Sequence, residues 1–294
     1  MRYAYYPGCS LDATGRQYGE STDAVAKALG VELVELDDWN CCGATAYMNV
    51  NEVLSFCLSA RNLALVPDNG NGRTLVTACN ACFTNLRKTE VYLVQFPEIR
   101  SKVDQALSEA NVKYDGGVTT KHLLQILVKE VGLDRVKASV KRPLTGLRVA
   151  PYYGCQIVRP FGIDDDADNP MMMDHLLEAL GAVPIHYPMK VMCCGGSLMG
   201  TREEVALRLC RNLLLCAQQG KADCIAVACP LCQMNLDAYQ AKINRTYGTG
   251  FNLPIVYFTQ LVGIALGLKS EELGMQRSIV PATPIAARYS QESL

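Results

Sequence analysis

The sequence predicts an α/β protein made of two tandem, pseudo-symmetric domains, each built on a small, mostly parallel sheet. Three observations predict it. A five-cysteine pattern occurs twice in 294 residues. Short β-rich runs end at those cysteines, and helical stretches separate the runs, the alternation expected of parallel sheets.

The first half carries Cys9, then Cys41-Cys42-Gly43, then Cys79-Asn80-Ala81-Cys82. The second carries Cys155, then Cys193-Cys194-Gly195, then Cys229-Pro230-Leu231-Cys232. The spacings are C-x31-C-C-x36-C-x2-C and C-x37-C-C-x34-C-x2-C, and they take up ten of the fourteen cysteines. Neighbouring residues repeat with them. Tyr5-Tyr6-Pro7-Gly8-Cys9 is echoed by Tyr152-Tyr153-Gly154-Cys155, and Ala28-Leu29-Gly30 by Ala179-Leu180-Gly181. Arg61-Asn62-Leu63 recurs as Arg211-Asn212-Leu213, while Ala78-Cys79 and Asn85-Leu86 recur as Ala228-Cys229 and Asn235-Leu236. A duplicated domain accounts for all of these, with bounds at 1–145 and 146–268.

In chain order, strands are expected over 2–6, 31–36 and 73–77, then over 148–153, 183–187 and 224–227. Helices are expected over 18–29 and 53–66, then over 172–180 and 203–219. Each strand delivers a cysteine loop at its C-terminal end, where open parallel sheets gather their chemistry. Two further helices, 122–132 and 257–267, share a Gln-apolar-apolar core (Gln125-Ile126-Leu127 and Gln260-Leu261-Val262) and close their halves. The polar tail 269–294, with Pro281 and Pro284, reads as an extended C-terminal arm.

A net charge of −1 gives no electrostatic reason to expect nucleic acid or an anionic membrane surface. No apolar run approaches the roughly 18 residues of a membrane span, and the N-terminus lacks a signal-peptide pattern. The expectation is a cytoplasmic chain, whose clustered cysteines serve metal or redox chemistry rather than disulfides.

A structural zinc site takes four ligands, whereas each half offers five thiols. Adjacent side chains in extended backbone point to opposite sides. A Cys-Cys pair therefore needs a bent loop, which Gly43 and Gly195 permit, or a core with several metal atoms, as in iron–sulfur clusters. Zinc in one half is the alternative. No Gly-x-Gly-x-x-Gly follows a strand, so no flavin or NAD is expected on this chain.

With both motifs in place, the chain resembles the HdrB-like family, the B-subunits of heterodisulfide reductase and their bacterial relatives, defined by the repeated cysteine-rich CCG domain. The resemblance spans residues 1–268 and implies Rossmann-like domains. It also implies two non-cubane [4Fe-4S] clusters, one on Cys9, Cys41, Cys42, Cys79 and Cys82, the other on Cys155, Cys193, Cys194, Cys229 and Cys232. The implied activity is that of a catalytic subunit cleaving or forming a disulfide. Electrons would pass singly through the clusters from a ferredoxin-like iron–sulfur subunit and a flavin subunit.

One position departs from the pattern. Methanogenic members tend to carry a histidine directly after the first cysteine of the second motif, where this chain has Gln156. Glutamine hydrogen-bonds but is no acid near neutral pH, so the substrate is expected to be another disulfide or a sulfur carrier, a lipoyl-bound one among the candidates. Ser10 and Gln156, each directly after a leading cysteine, are the candidate cavity-lining residues. The alternative function is a non-catalytic electron-transfer subunit of a flavoprotein dehydrogenase complex. Such relatives often carry ferredoxin-type cysteine runs upstream, which this sequence lacks, so the stand-alone subunit is expected. Cys57, Cys210, Cys216 and Cys224 are expected to be packing residues. His122, His175 and His186 match no motif position, and Asp164, Asp165, Asp166 and Asp168 read as a solvated turn. Arg16 and Arg159 follow the leading cysteines and are expected to form surface ion pairs or hold an anionic substrate.

Overall fold

The computed structural model describes residues 1–44, 46–68 and 72–289. The first half forms four parallel strands, β1 (Arg2–Tyr6), β2 (Glu32–Glu35), β3 (Arg73–Thr77) and β4 (Val118–His122), in the order β2-β1-β3-β4. The second half repeats the arrangement with β5 (Arg148–Tyr152), β6 (Val183–Pro184), β7 (Cys224–Val227) and β8 (Ile255–Tyr257), in the order β6-β5-β7-β8. Parallel neighbours need crossovers. Helices Arg16–Ala28 and Glu52–Ala64 supply them in one half, Met172–Ala179 and Glu203–Gln219 in the other. Strands covered on both faces are apolar throughout, and all four residues of β7 are buried.

The structure adds to the sequence reading in several places. Each sheet has a fourth strand. In β4 only Val118, Thr120 and His122 turn inward, so its run looks polar. In β8 three apolar residues merge with the apolar helix Phe258–Ala265 that follows. The helix expected over 122–132 starts one residue later, at Leu123, and continues as a widened π-helical stretch, Ile126–Gly132. Strand β6 ends at Pro184 rather than at 187, and Tyr187 is instead a core residue whose hydroxyl donates to the Leu213 carbonyl at 3.0 Å.

The C-terminal arm requires correction. Residues 269–289 fold back as a strap across both halves. Leu273 and Met275 are fully buried, and the Gln260 side chain donates to the Leu273 carbonyl at 2.8 Å. The Asp237 carboxylate accepts from the Ile279 and Val280 amides at 2.8 and 2.9 Å. Arg277 forks onto Glu20 of the first half, with the shortest contact at 2.7 Å. A few buried apolar residues in a polar stretch anchor it, which composition alone does not reveal. Residues 290–294 of the expected arm lie outside the described residues.

Helix Arg16–Ala28 packs along helix Phe258–Ala265 and joins the halves. Tyr18 and Tyr257 stack across the seam with centroids 4.0 Å apart and rings 11° from parallel. Next to them the Ser21 and Thr259 hydroxyls share a 2.7 Å hydrogen bond.

Candidate metal centre: two joined sets of thiols

Each set is assembled by three loops at the C-terminal ends of three adjacent strands. Cys9, Cys41-Cys42 and Cys79 follow β1, β2 and β3, while Cys155, Cys193-Cys194 and Cys229 follow β5, β6 and β7. The bend that lets neighbouring cysteines face one site comes from Gly43 and Gly195, at φ +80° and +93°. A Cβ on Gly195 would lie 2.9 Å from the Ala206 Cβ, so backbone and space both demand glycine there.

The third loop uses a helix start. Cys79 and Cys229 are the N-cap residues of helices Asn80–Gln95 and Pro230–Ala238, and C-x2-C spacing puts Cys82 and Cys232 in the first turn. The backbone N–H of Cys82 donates to the Cys79 sulfur, and that of Cys232 to the Cys229 sulfur. A helix N-terminus favours negative sulfur at this position.

The thiols then run as a chain. Cys9 acts on Cys41 and Cys41 on Cys42, Cys42 lies 3.5 Å from Cys82, and Cys82 acts on Cys79. In the second half Cys155 and Cys193 form one neighbouring pair, while Cys194 lies 3.5 Å from Cys232, which acts on Cys229. Cys79 and Cys229 act on each other electrostatically, so the two sets approach at their inner ends. Among the described residues no three His, Cys, Asp or Glu side chains converge as one metal ion requires. All fourteen cysteines are free thiols.

Burial grades each set. Cys42, Cys79, Cys82, Cys194, Cys229 and Cys232 are buried, whereas Cys9, Cys41 and Cys193 are exposed and Cys155 is half-buried. Protons are shared unevenly along the outer edge. Hydrogen bonds from Cys42 and Cys9, with the Gly43 amide, hold Cys41 far below the usual thiol value. A hydrogen bond from Cys155, with the Gly195 amide at 3.3 Å, brings Cys193 down to about 6. The donors shift in the opposite sense: Cys9 and Cys155 are raised by giving their protons to Cys41 and Cys193, and by burial.

The repeated asparagines explain why the duplication extends beyond cysteine. Asn85 donates to the Cys42 carbonyl, which also accepts from Ser59 at 2.9 Å. Asn235 donates to the Gly196 carbonyl at 2.9 Å and lies 3.7 Å from the Cys194 sulfur. Asn62 clamps the loop before Cys41 through two bonds to Asn40, at 2.8 and 2.9 Å.

Several residues at the seam carry no motif. The His122 ring is fully buried. Its Nδ1 accepts from the Leu124 amide at 3.1 Å and its Nε2 donates to the Ala78 carbonyl at 2.9 Å. Burial holds the imidazole at about 4, so it is neutral. The Asn80 amide donates to the Tyr153 carbonyl at 2.7 Å, tying the first helix start to the second leading loop. The Gln125–Gln260 correspondence marked this region, since each glutamine caps a strand end, at His122 (2.8 Å) and Tyr257 (2.9 Å). Behind Cys155, a buried Lys190 pairs with Asp174 at 2.9 Å, and the Tyr153 hydroxyl donates to the same carboxylate at 2.7 Å.

Ser10 and Gln156 follow their cysteines in turns and are half-buried; the Thr84 hydroxyl donates to the Gln156 carbonyl. Arg159 pairs with Asp168, and Arg16 is exposed. Asp165 and Asp166 accept backbone N–H bonds at 2.8–2.9 Å within their own turn, at the start of helix Met172–Ala179. Cys57, Cys210 and Cys216 lie in helices and Cys224 in β7. Of these, Cys210 donates to the Cys194 carbonyl at 3.2 Å.

The residues fit an iron–sulfur group. Ten thiols stand in two sets of five, and buried polar atoms without partners lie around them: the Asn80 and Asn235 amide oxygens and the Tyr257 hydroxyl.

The comparisons with known proteins agree with this geometry. The cysteine-rich CCG domain matches residues 3–87 and again 149–237. An "8-methylmenaquinol:fumarate reductase membrane anchor subunit" of Wolinella succinogenes is 31% identical over 286 residues, covering 96% of this chain and 98% of the relative. The B-subunit of a ferredoxin/F(420)H(2)-dependent CoB-CoM heterodisulfide reductase of Methanosarcina acetivorans is 29% identical, covering 99% of this chain and 98% of the relative. A protein of Archaeoglobus profundus, described as like the B-subunit of heterodisulfide reductase, is 30% identical over 280 residues, with 93% of each chain covered. A hypothetical protein from Helicobacter pylori shares the fold, with a TM-score of 0.75 at 16% identity over 96% of this chain; this chain spans 52% of that one. The duplicated motif, the duplicated sheet and full-length similarity together place this chain in the HdrB-like family of heterodisulfide reductase B-subunits, whose members carry two cysteine-rich CCG domains.

Proposed function

We propose that the chain is the iron–sulfur subunit of a multi-subunit oxidoreductase complex, holding two non-cubane [4Fe-4S] clusters that serve the cleavage or formation of a disulfide. Cys9, Cys41, Cys42, Cys79 and Cys82 hold one, and Cys155, Cys193, Cys194, Cys229 and Cys232 the other. The observation that carries this reading is the gathering of ten free thiols into two sets of five, whose inner members Cys79 and Cys229 act on each other across the seam. An iron–sulfur group supplies one-electron storage and an affinity for sulfur.

The chain's own residues supply the rest. Splitting a disulfide into two thiols consumes two electrons and two protons, so two adjacent one-electron sites suit it. Buried inner thiols keep water from the junction, while the accessible Cys9, Cys41 and Cys193 mark the side a substrate approaches. Backbone N–H groups of Gly43, Gly195 and Gly196, 3.3–3.5 Å from the neighbouring sulfurs, offset negative charge there. Ser10 and Gln156 flank the entry as hydrogen-bonding residues. Gln156 supplies no proton, which favours a disulfide or sulfur carrier other than the CoB-CoM heterodisulfide. Electrons come from a ferredoxin-like iron–sulfur subunit and a flavin subunit.

A second reading takes up the anchor role in the name of the Wolinella relative: an electron relay or anchor in a flavoprotein dehydrogenase complex, without sulfur chemistry of its own. No helix among the described residues is long and apolar enough to cross a membrane. Anaerobically purified protein, assayed for iron, sulfide and disulfide cleavage with an artificial electron donor, separates the two. About eight irons per chain with cleavage, and a new paramagnetic signal on adding one disulfide, supports the enzyme. The same iron without cleavage of any disulfide supports the relay, and zinc in place of iron refutes both.

A further inference from the structure

The two halves differ at one edge, and the difference points outward. We propose that the cleft between helix Arg16–Ala28 and β2 docks a basic, extended segment of a partner protein, which adds as a strand to β2 and sets a lysine or arginine against Asp23. This deepens the reading of the chain as one member of a complex.

Strand β2 is an edge, paired only with β1. The Glu32 amide donates to the Met1 carbonyl at 2.8 Å and the Leu36 amide to that of Tyr5 at 2.9 Å. Even-numbered amides thus turn to β1, and those of Leu33 and Glu35 point away from the sheet. Leu33 stands opposite Tyr3, as Pro184 in β6 stands opposite Val149. Proline has no N–H and is a common guard on exposed edges. The second half closes its edge at this position; the first half leaves it open.

The carboxylates differ in the same way. Asp23 and Asp174 each lie five residues before an Ala-Leu-Gly triplet. Asp174 is neutralised by buried Lys190. Lys190 lies three residues before its Cys-Cys pair, where the first half has Asp38, so Asp23 has no such lysine. Among the described residues no cation pairs with Asp23; its charged neighbour is Glu35. Both line a cleft of about 830 Å³ with Asp12, Arg16 and Lys27, all five exposed, so these three carboxylates stand against two cations.

An independent observation marks the same cleft as a binding place. Tyr5 lines it, is 5% exposed, and its hydroxyl has no partner. Asp23, Glu35, Cys82 and Asp12 all act electrostatically on that hydroxyl. A buried unpaired hydroxyl is costly. A cationic side chain held by the carboxylates brings polar hydrogen-bonding groups to it, and the outward amides and carbonyls of β2 supply the main-chain ladder of strand addition.

The test uses the tagged full chain, purified with its native partners at low ionic strength and treated with a carbodiimide, which joins carboxylate to lysine without a spacer. We expect cross-links from Asp23 or Asp12 to a partner lysine, and slowed amide exchange at Leu33 and Glu35 in the complex. Asp23→Lys and Leu33→Pro should each lower partner recovery about tenfold or more, the scale of a lost charge contact or ladder. Leu33→Pro copies the arrangement at Pro184, and Asp23→Asn, which removes only charge, serves if the proline disturbs β2. Glu109→Lys, at the exposed end of helix Pro97–Glu109 and outside the cleft lining, should change nothing. Full recovery of the partner with both Asp23 variants, cross-links confined to other surfaces, or a chain that purifies alone would overturn the proposal. Iron content is read on the same samples: low iron in the wild type would sink the cluster reading, while the cross-links would still decide the docking.

Discussion

His122 lends itself to a quantitative test, because its two ring nitrogens are committed. Nδ1 accepts from the Leu124 amide and Nε2–H donates to the Ala78 carbonyl, beside Cys79. A second proton would face the Leu124 N–H in a fully buried site, and burial lowers the ring from 6.5 to about 4. Because the folded value lies below the unfolded one, the unfolded chain takes up the proton first as pH falls. Stability present above about pH 6.5 is therefore lost progressively down to about pH 4, by roughly 3 kcal/mol in all, and by about 2 kcal/mol between pH 7.5 and 5. The perturbation is His122→Gln, which keeps polar atoms but cannot titrate. Urea unfolding of the metal-free protein at about pH 7.5 and 5 gives the slope for each form. The wild type should lose about 2 kcal/mol more than the variant over that interval. Equal pH dependence in the two would refute the neutral, doubly bonded imidazole at the seam.

Other perturbations address the thiol sets themselves. Cys42→Ser and Cys194→Ser should each lower iron from about eight to about four atoms per chain, since each set is built by its own loops; metal analysis of the purified variants reads this directly. Gly195→Ala must hold a left-handed φ, at about 1–2 kcal/mol, and displace Ala206, at about 1–3 kcal/mol. It should weaken the second set alone, whereas Gly200→Ala, with open space around it, is tolerated; thermal unfolding and iron content report both. Lys190→Met strands the buried Asp174 charge, at about 3–5 kcal/mol. Asp174→Asn in the same chain should restore much of the loss in urea unfolding.

The two five-thiol sets are legible in the sequence because a five-cysteine pattern repeated with fixed flanking residues has few bland explanations. The helices that form the crossovers are legible for a similar reason: their apolar residues recur at helical spacing. The strands β4 and β8 are not. Val118-Thr119-Thr120-Lys121-His122 hides three inward residues in a polar run, and Ile255–Tyr257 is too short to separate from the helix after it. His122 escapes for the same cause, since it lies at the end of a strand that pattern does not disclose. The C-terminal strap escapes because its attachment uses Asp237, Gln260 and Glu20, each distant in sequence.

By itself, the sequence determined which atoms are available: ten thiols in two sets, each delivered at the end of a strand, within a duplicated α/β fold. These are properties of local spacing and composition, which a chain carries whether or not it is folded. Only the tertiary structure decided that Cys79 meets Cys229, that His122 sits neutral between the halves, and that one sheet edge is open where its counterpart is closed by Pro184. Those features depend on residues brought together across the seam or across a sheet, and duplication constrains each half without saying how the two face each other.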